Sequence, residues 1–422
     1  MKLPFDLYEQ IIDASRSEGW NIQEDVRTFR SFCLVCRAWL YCTRKHLWRC
    51  VRLCRPSQTH ALIDAIQQDP GLANLIVELD VSTSVPFDYR RMPQASCFLA
   101  FATLPARFKL THLRTLRLCH LDLRLYPPKY YRCFAQFTTV THLEIGWATF
   151  ETVPDLLRLV WALQNLETLH VRNAIHIRQA LAEDAQARFE LFCKSRASRF
   201  CRNLRDVDIL VCLYDANEDK PLVLPPGCLG CSVQRMRIEA ASDGLKEWLT
   251  DPAATIQRFL SAVSGPNLAH LTIQLRLDFD TPTELPSLPD SRGPLIASIS
   301  AHTHAKSLRT LTFDVSVGFS GVWTPKTSDT LKTSLHTVLF GLPQRRVVYD
   351  AGLPSLERFT LLVDSVGVEY HLRCVVMTEG ETPTLQAIFD AEWENVGSSG
   401  RTPHSSRQCI YCRMLTSDSR QV

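Results

Sequence analysis

One short phrase recurs along most of this chain: an apolar residue, two others, an apolar residue, one other, and a third apolar residue. It occurs as Ile76/Leu79/Val81, Leu113/Leu116/Leu118, Val140/Leu143/Ile145, Leu166/Leu169/Val171 and Leu204/Val207/Ile209. It continues as Val233/Met236/Ile238, Leu268/Leu271/Ile273, Leu308/Leu311/Phe313 and Leu356/Phe359/Leu361, with a weaker copy at Leu385/Ile388. The last two apolar positions alternate, so each phrase specifies a short strand with one buried face. Between phrases, Thr59–Gln68, Val153–Leu163, Ala185–Phe200, Leu245–Val263 and Ser328–Phe340 carry helical spacing. Strand, crossover helix and parallel strand form the unit of a right-handed solenoid, whose repeats bury their apolar edges only by stacking. The expected fold class is therefore α/β: an N-terminal helical module followed by an irregular right-handed solenoid.

The phrase resembles the opening of a leucine-rich repeat. Its spacing of 26 to 48 residues is looser than the roughly 20–29 of regular repeats. The Asn or Cys that such repeats carry eight positions after the first Leu is nearly absent. Leu121, Ala148, Ala174, Ala241, Arg276, Ser316 and Asp364 stand there, and only Cys212 fits. The expectation is a distorted horseshoe with long loops. The alternative is an ordinary α/β domain with parallel strands, but nine or ten phrases exceed a sheet of common size. The expected organisation is a helical module over 1–55, the array over 56–395 and a tail over 396–422. The Pro-rich stretch Thr281–Pro294 reads as an inserted loop, and the Ser- and Arg-rich tail as disordered.

The first fifty residues have a different cadence. Leu3, Leu7, Ile11 and Ile12 form one apolar stripe behind Pro4, and Gly19 is a plausible breaker. Asp25 is a candidate N-cap for a second helix, in which Phe29, Phe32, Val35, Cys36, Trp39 and Leu40 recur at three and four. Two short helices cannot bury both stripes against each other, so apolar surface is left for a partner. From Val26 to Arg55 there is no Asp or Glu, while eight cations occur: Arg27, Arg30, Arg37, Arg44, Lys45, Arg49, Arg52 and Arg55. This local basic face points to an acidic partner.

Leu3-Pro4 with Asp6, followed by Leu34-Val35-Cys36-Arg37 and Trp39, resembles the two ends of an F-box, with Lys45–Leu53 as its closing helix and first following strand. The resemblance covers about one eighth of the 422 residues. Together the two resemblances imply an F-box protein with degenerate leucine-rich repeats, of the kind abundant in mushroom-forming fungi. The implied role is substrate recognition in a cullin–RING ubiquitin ligase. The implied adaptor-binding residues are Leu3, Pro4, Leu7, Ile11, Leu34, Val35, Cys36 and Trp39, facing a Skp-type adaptor. Such a receptor is no enzyme; it contributes proximity between target and ubiquitin carrier. The first rival is a repeat scaffold without ligase association, in which the helices cap the array and the Leu3/Leu7/Ile11 stripe is buried against the first repeat. The second is an irregular α/β enzyme.

In a strand phrase, the residues between the apolar ones point to the concave face. His142, Glu144, His170, Asp206, Asp208, Arg235, Arg237 and His270 are the candidate target contacts, accompanied by Thr115, Arg117, Thr168, Thr272, Thr310, Thr312, Arg358 and Thr360. The stripe is mixed in sign, which favours a protein over nucleic acid. The whole chain has a net charge of +3 with 45% hydrophobic and 22% charged residues, an ordinary globular balance that offers no bulk argument for nucleic acid or membrane. No signal peptide and no apolar run of membrane-spanning length is written, so a cytoplasmic or nuclear protein with mostly buried thiols is expected.

Chemistry was sought in the remaining motifs. Cys33-x-x-Cys36 has metal spacing, but both thiols are expected on the buried helix stripe. Cys409-x-x-Cys412, Cys228-Leu229-Gly230-Cys231 and His302-x-His304 have no second pair at finger spacing. No phosphate loop, dinucleotide Gly pattern, Gly-x-Ser-x-Gly elbow or His-Glu-x-x-His pair occurs. No cofactor, metal or catalytic residue is expected.

Overall fold

The computed structural model describes residues 5–15, 22–82, 101, 104–177, 181–212, 224–242, 252–279, 295–302, 306–319, 353, 355–365, 368–370 and 375–376. The chain divides into two compact units, residues 1–207 with 228–232, and residues 208–217, 224–227 and 233 onward.

The first unit opens with three helices, α1 (Phe5–Ala14), α2 (Ile22–Cys33) and α3 (Arg37–Arg49). The single long stripe expected from Phe29 to Leu40 is broken. Leu34 N donates to Ser31 O and Val35 N to Phe32 O, and Cys36 takes up extended backbone as the N-cap of α3. Asp25 is no cap, because α2 begins at Ile22, three residues ahead of it.

Helix α3 runs directly into β1 (Cys50–Leu53), and α4 (Pro56–Gln68) follows with Pro56 at its first position. The strands β2 (Glu78–Ser82), β3 (Thr115–Cys119), β4 (His142–Phe150) and β5 (Thr168–Ile177) come next, with α5 (Val153–Ala162) before β5. Each pairs in parallel with the one before it, β1 to β5 in chain order. Helix α6 (Glu183–Arg196) follows, and the division between units falls inside β6 (Asp206–Cys212).

In the second unit β7 (Arg235–Ser242), β8 (His270–Phe279), β9 (Thr310–Phe319) and β10 (Arg358–Ser365) are again parallel neighbours in chain order. Helices α7 (Pro252–Ala262) and α8 (Leu295–Ser300) precede β8 and β9. Beyond β10 the pairing turns antiparallel, through β11 (Val368–Tyr370) and β12 (Val375–Val376). The expected weak copy at Leu385/Ile388, the helix Ser328–Phe340, the Pro-rich loop and the tail lie outside the described residues.

Every phrase from Ile76 to Leu361 coincides with a strand that begins two residues after its first apolar position. From Ile76 to Leu356 its apolar residues are buried, which is why the phrase predicts the strand so well: each copy must remove the same three side chains from water. The chain belongs to no ordinary open α/β sheet. From β1 to β5 and from β7 to β10 successive strands are adjacent and parallel, the order of a leucine-rich-repeat-like parallel-sheet repeat protein.

The carbonyl just before each strand is shared by two donors of the next repeat. Val77 O accepts from Arg114 N and Thr115 N, Arg114 O from Thr141 N and His142 N, and Ala269 O from Arg309 N and Thr310 N. A side-chain ladder accompanies it, in a place other than the one expected from regular repeats. The polar residue immediately before the first apolar position reaches back to the previous repeat. Thr139 Oγ1 donates to Leu110 O (3.0 Å), Asn165 Nδ2 to Thr138 O (2.7 Å) and Asn203 Nδ2 to Gln164 O (3.4 Å). Ser307 Oγ donates to Leu268 O (3.0 Å) and Ser355 Oγ to Lys306 O (2.7 Å). Replacing Asn165 by Ala leaves the Thr138 carbonyl without this donor and costs about 1 kcal/mol; chemical denaturation of the chain checks it, and no change in midpoint would reduce the ladder to a surface contact.

Candidate docking surfaces

The N-terminal helices close a small core of their own. Ile12, Phe29 and Cys42 are buried, with Tyr8, Phe32, Trp39 and Leu47 packed against them. Trp39 meets Phe32 edge-on at 4.9 Å and Tyr8 at 5.8 Å. Trp39, implied as an adaptor contact, is partly buried and packs against this core. The His46 ring lies 5.4 Å from Phe29, with Nε2 3.3 Å from the Asp13 carboxylate at the end of α1.

Around this core a set of large apolar side chains faces outward. Leu34 is 87% exposed, Tyr41 74% and Val35 60%, and Leu7, Ile11 and Leu40 are also exposed. Cys36, expected on a buried stripe, is exposed as the cap of α3. Leu3 and Pro4 lie outside the described residues. Of the basic run, Arg44 pairs with Asp69 and Arg52 with Asp80, whereas Arg27, Arg30, Arg37, Lys45 and Arg49 stand exposed on the helices. Leu40, expected on the stripe of the second helix, and Tyr41, which belongs to no expected stripe, join the outward set on α3.

The polar strand face of the first unit is an alternating charge ladder. The register aligns Arg52, Asp80, Arg117, Glu144 and His170 across β1 to β5. Arg52 Nε donates to Asp80 Oδ2 at 2.7 Å, Arg117 Nη1 to Glu78 Oε2 at 2.8 Å and Arg117 Nε to Glu144 Oε2 at 3.3 Å. Arg172 adds a contact to Glu144 at 3.6 Å. Burial raises the Glu144 carboxyl above its ordinary range, opposed by Arg172 and Arg117. For Arg117, Glu78 and Glu144 outweigh burial and hold the guanidinium charged. Glu144, a candidate target contact, is thus buried and occupied. His142 is exposed beside Thr141, and His170 and Asp206 are half-buried. Arg52, Glu78, Asp80 and Arg172 were not among the candidates; the alternation Val51-Arg52-Leu53 and Leu79-Asp80-Val81 carried the signal for two of them.

Just past β3 and at the irregularity between Gly146 and Ala148 within β4, the side chains of His120 and Trp147 stack at 4.6 Å and 10°. Both sit at positive φ, 55° and 45°, a conformation unusual for a bulky residue. Burial lowers the His120 pKa from 6.5, with Asp80 opposing. A lowered histidine pKa contributes stability that is complete above pH 6.5 and is lost as the pH falls below it. His120→Asn, which tolerates the same backbone, is expected to shrink the loss of thermal stability between neutral and mildly acid pH; an unchanged pH profile would remove His120 from the acid response.

In the second unit Arg235 lies in register with His270 and Thr310, and Arg237 with Thr272 and Thr312. Arg235, Arg237 and His270 are exposed and Asp208 is half-buried. His270 Nδ1 is 2.6 Å from Thr310 Oγ1, and Arg237 bonds Gln274 and approaches Glu239 at 4.0 Å. Among the described residues no group of three or more His, Cys, Asp or Glu could hold a metal ion.

No protein-family profile matches the chain, and no curated protein matches its sequence. Solved structures similar to the chain include two of very low identity. One is an internalin from Listeria monocytogenes, 11% identical over 69% of this chain and 50% of its own, with a TM-score of 0.20. This chain therefore spans half the length of that internalin. The other is from the crystal structure of the Rad7 and Elc1 complex in yeast, 11% identical over 90% of this chain and 91% of the other, with a TM-score of 0.28. Likeness at this level assigns neither fold nor partner; the strand order and register described above define the repeat architecture.

Proposed function

We propose that this chain is a substrate receptor of a cullin–RING ubiquitin ligase, holding a Skp-type adaptor through α1 to α3 and a target protein through the strand array. The observation that carries the reading is the outward set Leu7, Ile11, Leu34, Val35, Leu40 and Tyr41 around a module whose core is already filled. Large apolar side chains do not stay in water at this density without a use. The cations Arg37, Lys45 and Arg49 on the same helix suit an acidic partner. The sequence resemblance to an F-box adds to this, at Leu34-Val35-Cys36-Arg37 above all.

The capping alternative requires Leu7 and Ile11 to be covered by the first repeat, and both are exposed. A repeat scaffold without ligase association keeps one supporting observation, the uninterrupted passage of α3 into β1. Purified chain is tested against a recombinant Skp-type adaptor, beside Leu34→Asp and Leu7→Asp. Both substitutions lie on exposed positions and spare the core. Stoichiometric binding that weakens at least about tenfold, or 1.4 kcal/mol, in each variant is expected. Folded wild-type chain that does not bind the adaptor leaves the scaffold as the function.

A further inference from the structure

We propose that the C-terminal half of α6 and the turn after it form a docking patch for an anionic lipid bilayer. From Leu191 to Arg205 the chain has five cations, Lys194, Arg196, Arg199, Arg202 and Arg205, and no Asp or Glu. All five are exposed. Among the described residues none of them has an ion-pair partner. Of the acidic residues of α6, Asp184 bonds Arg188 and Glu190 accepts from Gln186, while Glu183 stands exposed at the far end of the helix. The field over the patch is therefore positive at close range.

Two large apolar side chains stand exposed at the start of this stretch. Leu191 is 66% exposed and Phe192 39%. Along all of α6 only Cys193 is buried. The pair stands on a firm base: Trp161 stacks on Phe200 at 4.0 Å and 5°, and both rings lie about 6 Å from Phe192. The Arg196 guanidinium covers one side of the Phe192 ring at 4.9 Å.

A bilayer surface fits these features better than a polynucleotide. A protruding Leu gains nothing from a phosphodiester backbone but is removed from water among acyl chains. Base stacking needs open ring faces, and Trp161 and Phe200 use theirs on each other. Four of the five cations are Arg, whose planar fork suits phosphate headgroups. Mobile headgroups gather around unpaired cations without a fixed groove, so polybasic attraction and shallow insertion act together. No helix among the described residues is long and apolar enough to cross a membrane, so this is surface association. The inference is independent of the adaptor reading.

The test is co-sedimentation of the full chain with phosphatidylcholine vesicles, with and without about 30% phosphatidylserine, at roughly 0.1 M salt. Three variants accompany it: K194Q/R196Q/R199Q/R202Q, L191S/F192S, and R37Q/K45Q on α3 as a control. All change exposed positions, and thermal unfolding establishes that each is folded. The expected result is binding to the anionic vesicles alone. It falls at least about tenfold in the four-charge variant and severalfold in L191S/F192S, and stays unchanged in the α3 control. No association of folded chain with anionic vesicles overturns the proposal, as does equal binding to neutral ones. Loss in the α3 control with the α6 variants unaffected, or tighter binding of a single-stranded oligonucleotide than of the vesicles, overturns it as well.

Discussion

Arg117→Ala is expected to lower stability by about 3 kcal/mol, the lower end of what breaking a buried charge pair costs. Arg117 lies between two carboxylates, with Nη1 bonded to Glu78 Oε2 and Nε to Glu144 Oε2. Its removal takes the guanidinium away from two mostly buried carboxylates, and a buried carboxylate that loses its ion-pair partner is costly. Arg172 stands half-exposed at 3.6 Å from Glu144 and makes up only part of the loss there. Glu144→Gln alone is expected to cost about 1 kcal/mol, because Arg117 keeps Glu78. The double variant should then be milder than the sum of the two, since one uncompensated carboxylate has gone with its partner. Urea unfolding of the four proteins measures this coupling. A single variant within about 0.5 kcal/mol of the parent would mean the ladder behaves as an exposed ion pair.

Gly230→Ala is expected to cost about as much or more, roughly 3–5 kcal/mol, for a reason of pure geometry. Gly230 has φ of 80°, where a side chain strains the backbone. A Cβ there would lie 2.3 Å from the Phe200 carbonyl oxygen and 3.3 Å from its carbon. Both are backbone atoms and cannot rotate away. Phe200 in turn stacks on Trp161, whose Nε1 donates to Cys228 O at 2.9 Å. Relief of the overlap must therefore pull apart the aromatic stack that supports α6. Thermal unfolding with near-ultraviolet dichroism reads both effects. An alanine variant with parental melting and unchanged aromatic signal would mean that the Gly227–Ser232 segment shifts freely, contrary to its packing here.

The strands were legible because their signal is local and repeated. In Leu166-Glu167-Thr168-Leu169-His170-Val171 the alternation that makes a strand is the same one that buries it, so pattern and fold agree. The helical module was legible only in part. Phe29, Phe32 and Trp39 do share one core, yet they do so from two helices, because a turn at Leu34–Cys36 redirects the chain between them. Three-and-four spacing cannot distinguish a continuous helix from two that meet on one core, and the consequence is large: Val35 and Cys36 face water rather than the core. The back-reaching ladder was visible as Asn165, Asn203, Ser307 and Ser355 before a Leu, but at a phase that regular repeats do not use.

The sequence by itself determined where the strands lie, which side chains they bury and that a basic, apolar-faced helical stretch precedes them. These follow from periodicity and from runs of charge, which need no knowledge of what lies across the sheet. Only the tertiary structure decided which charges remain for a partner. Arg52, Arg117 and Arg172 are as basic in the sequence as Lys194, Arg199 and Arg202. The stacked strands set the first three against Asp80, Glu78 and Glu144, while the others, at the end of α6 and in the turn after it, meet no carboxylate among the described residues. Pairing is a matter of a few ångströms between strands about 4.8 Å apart, and residues far apart in the chain meet there only once the repeats have stacked.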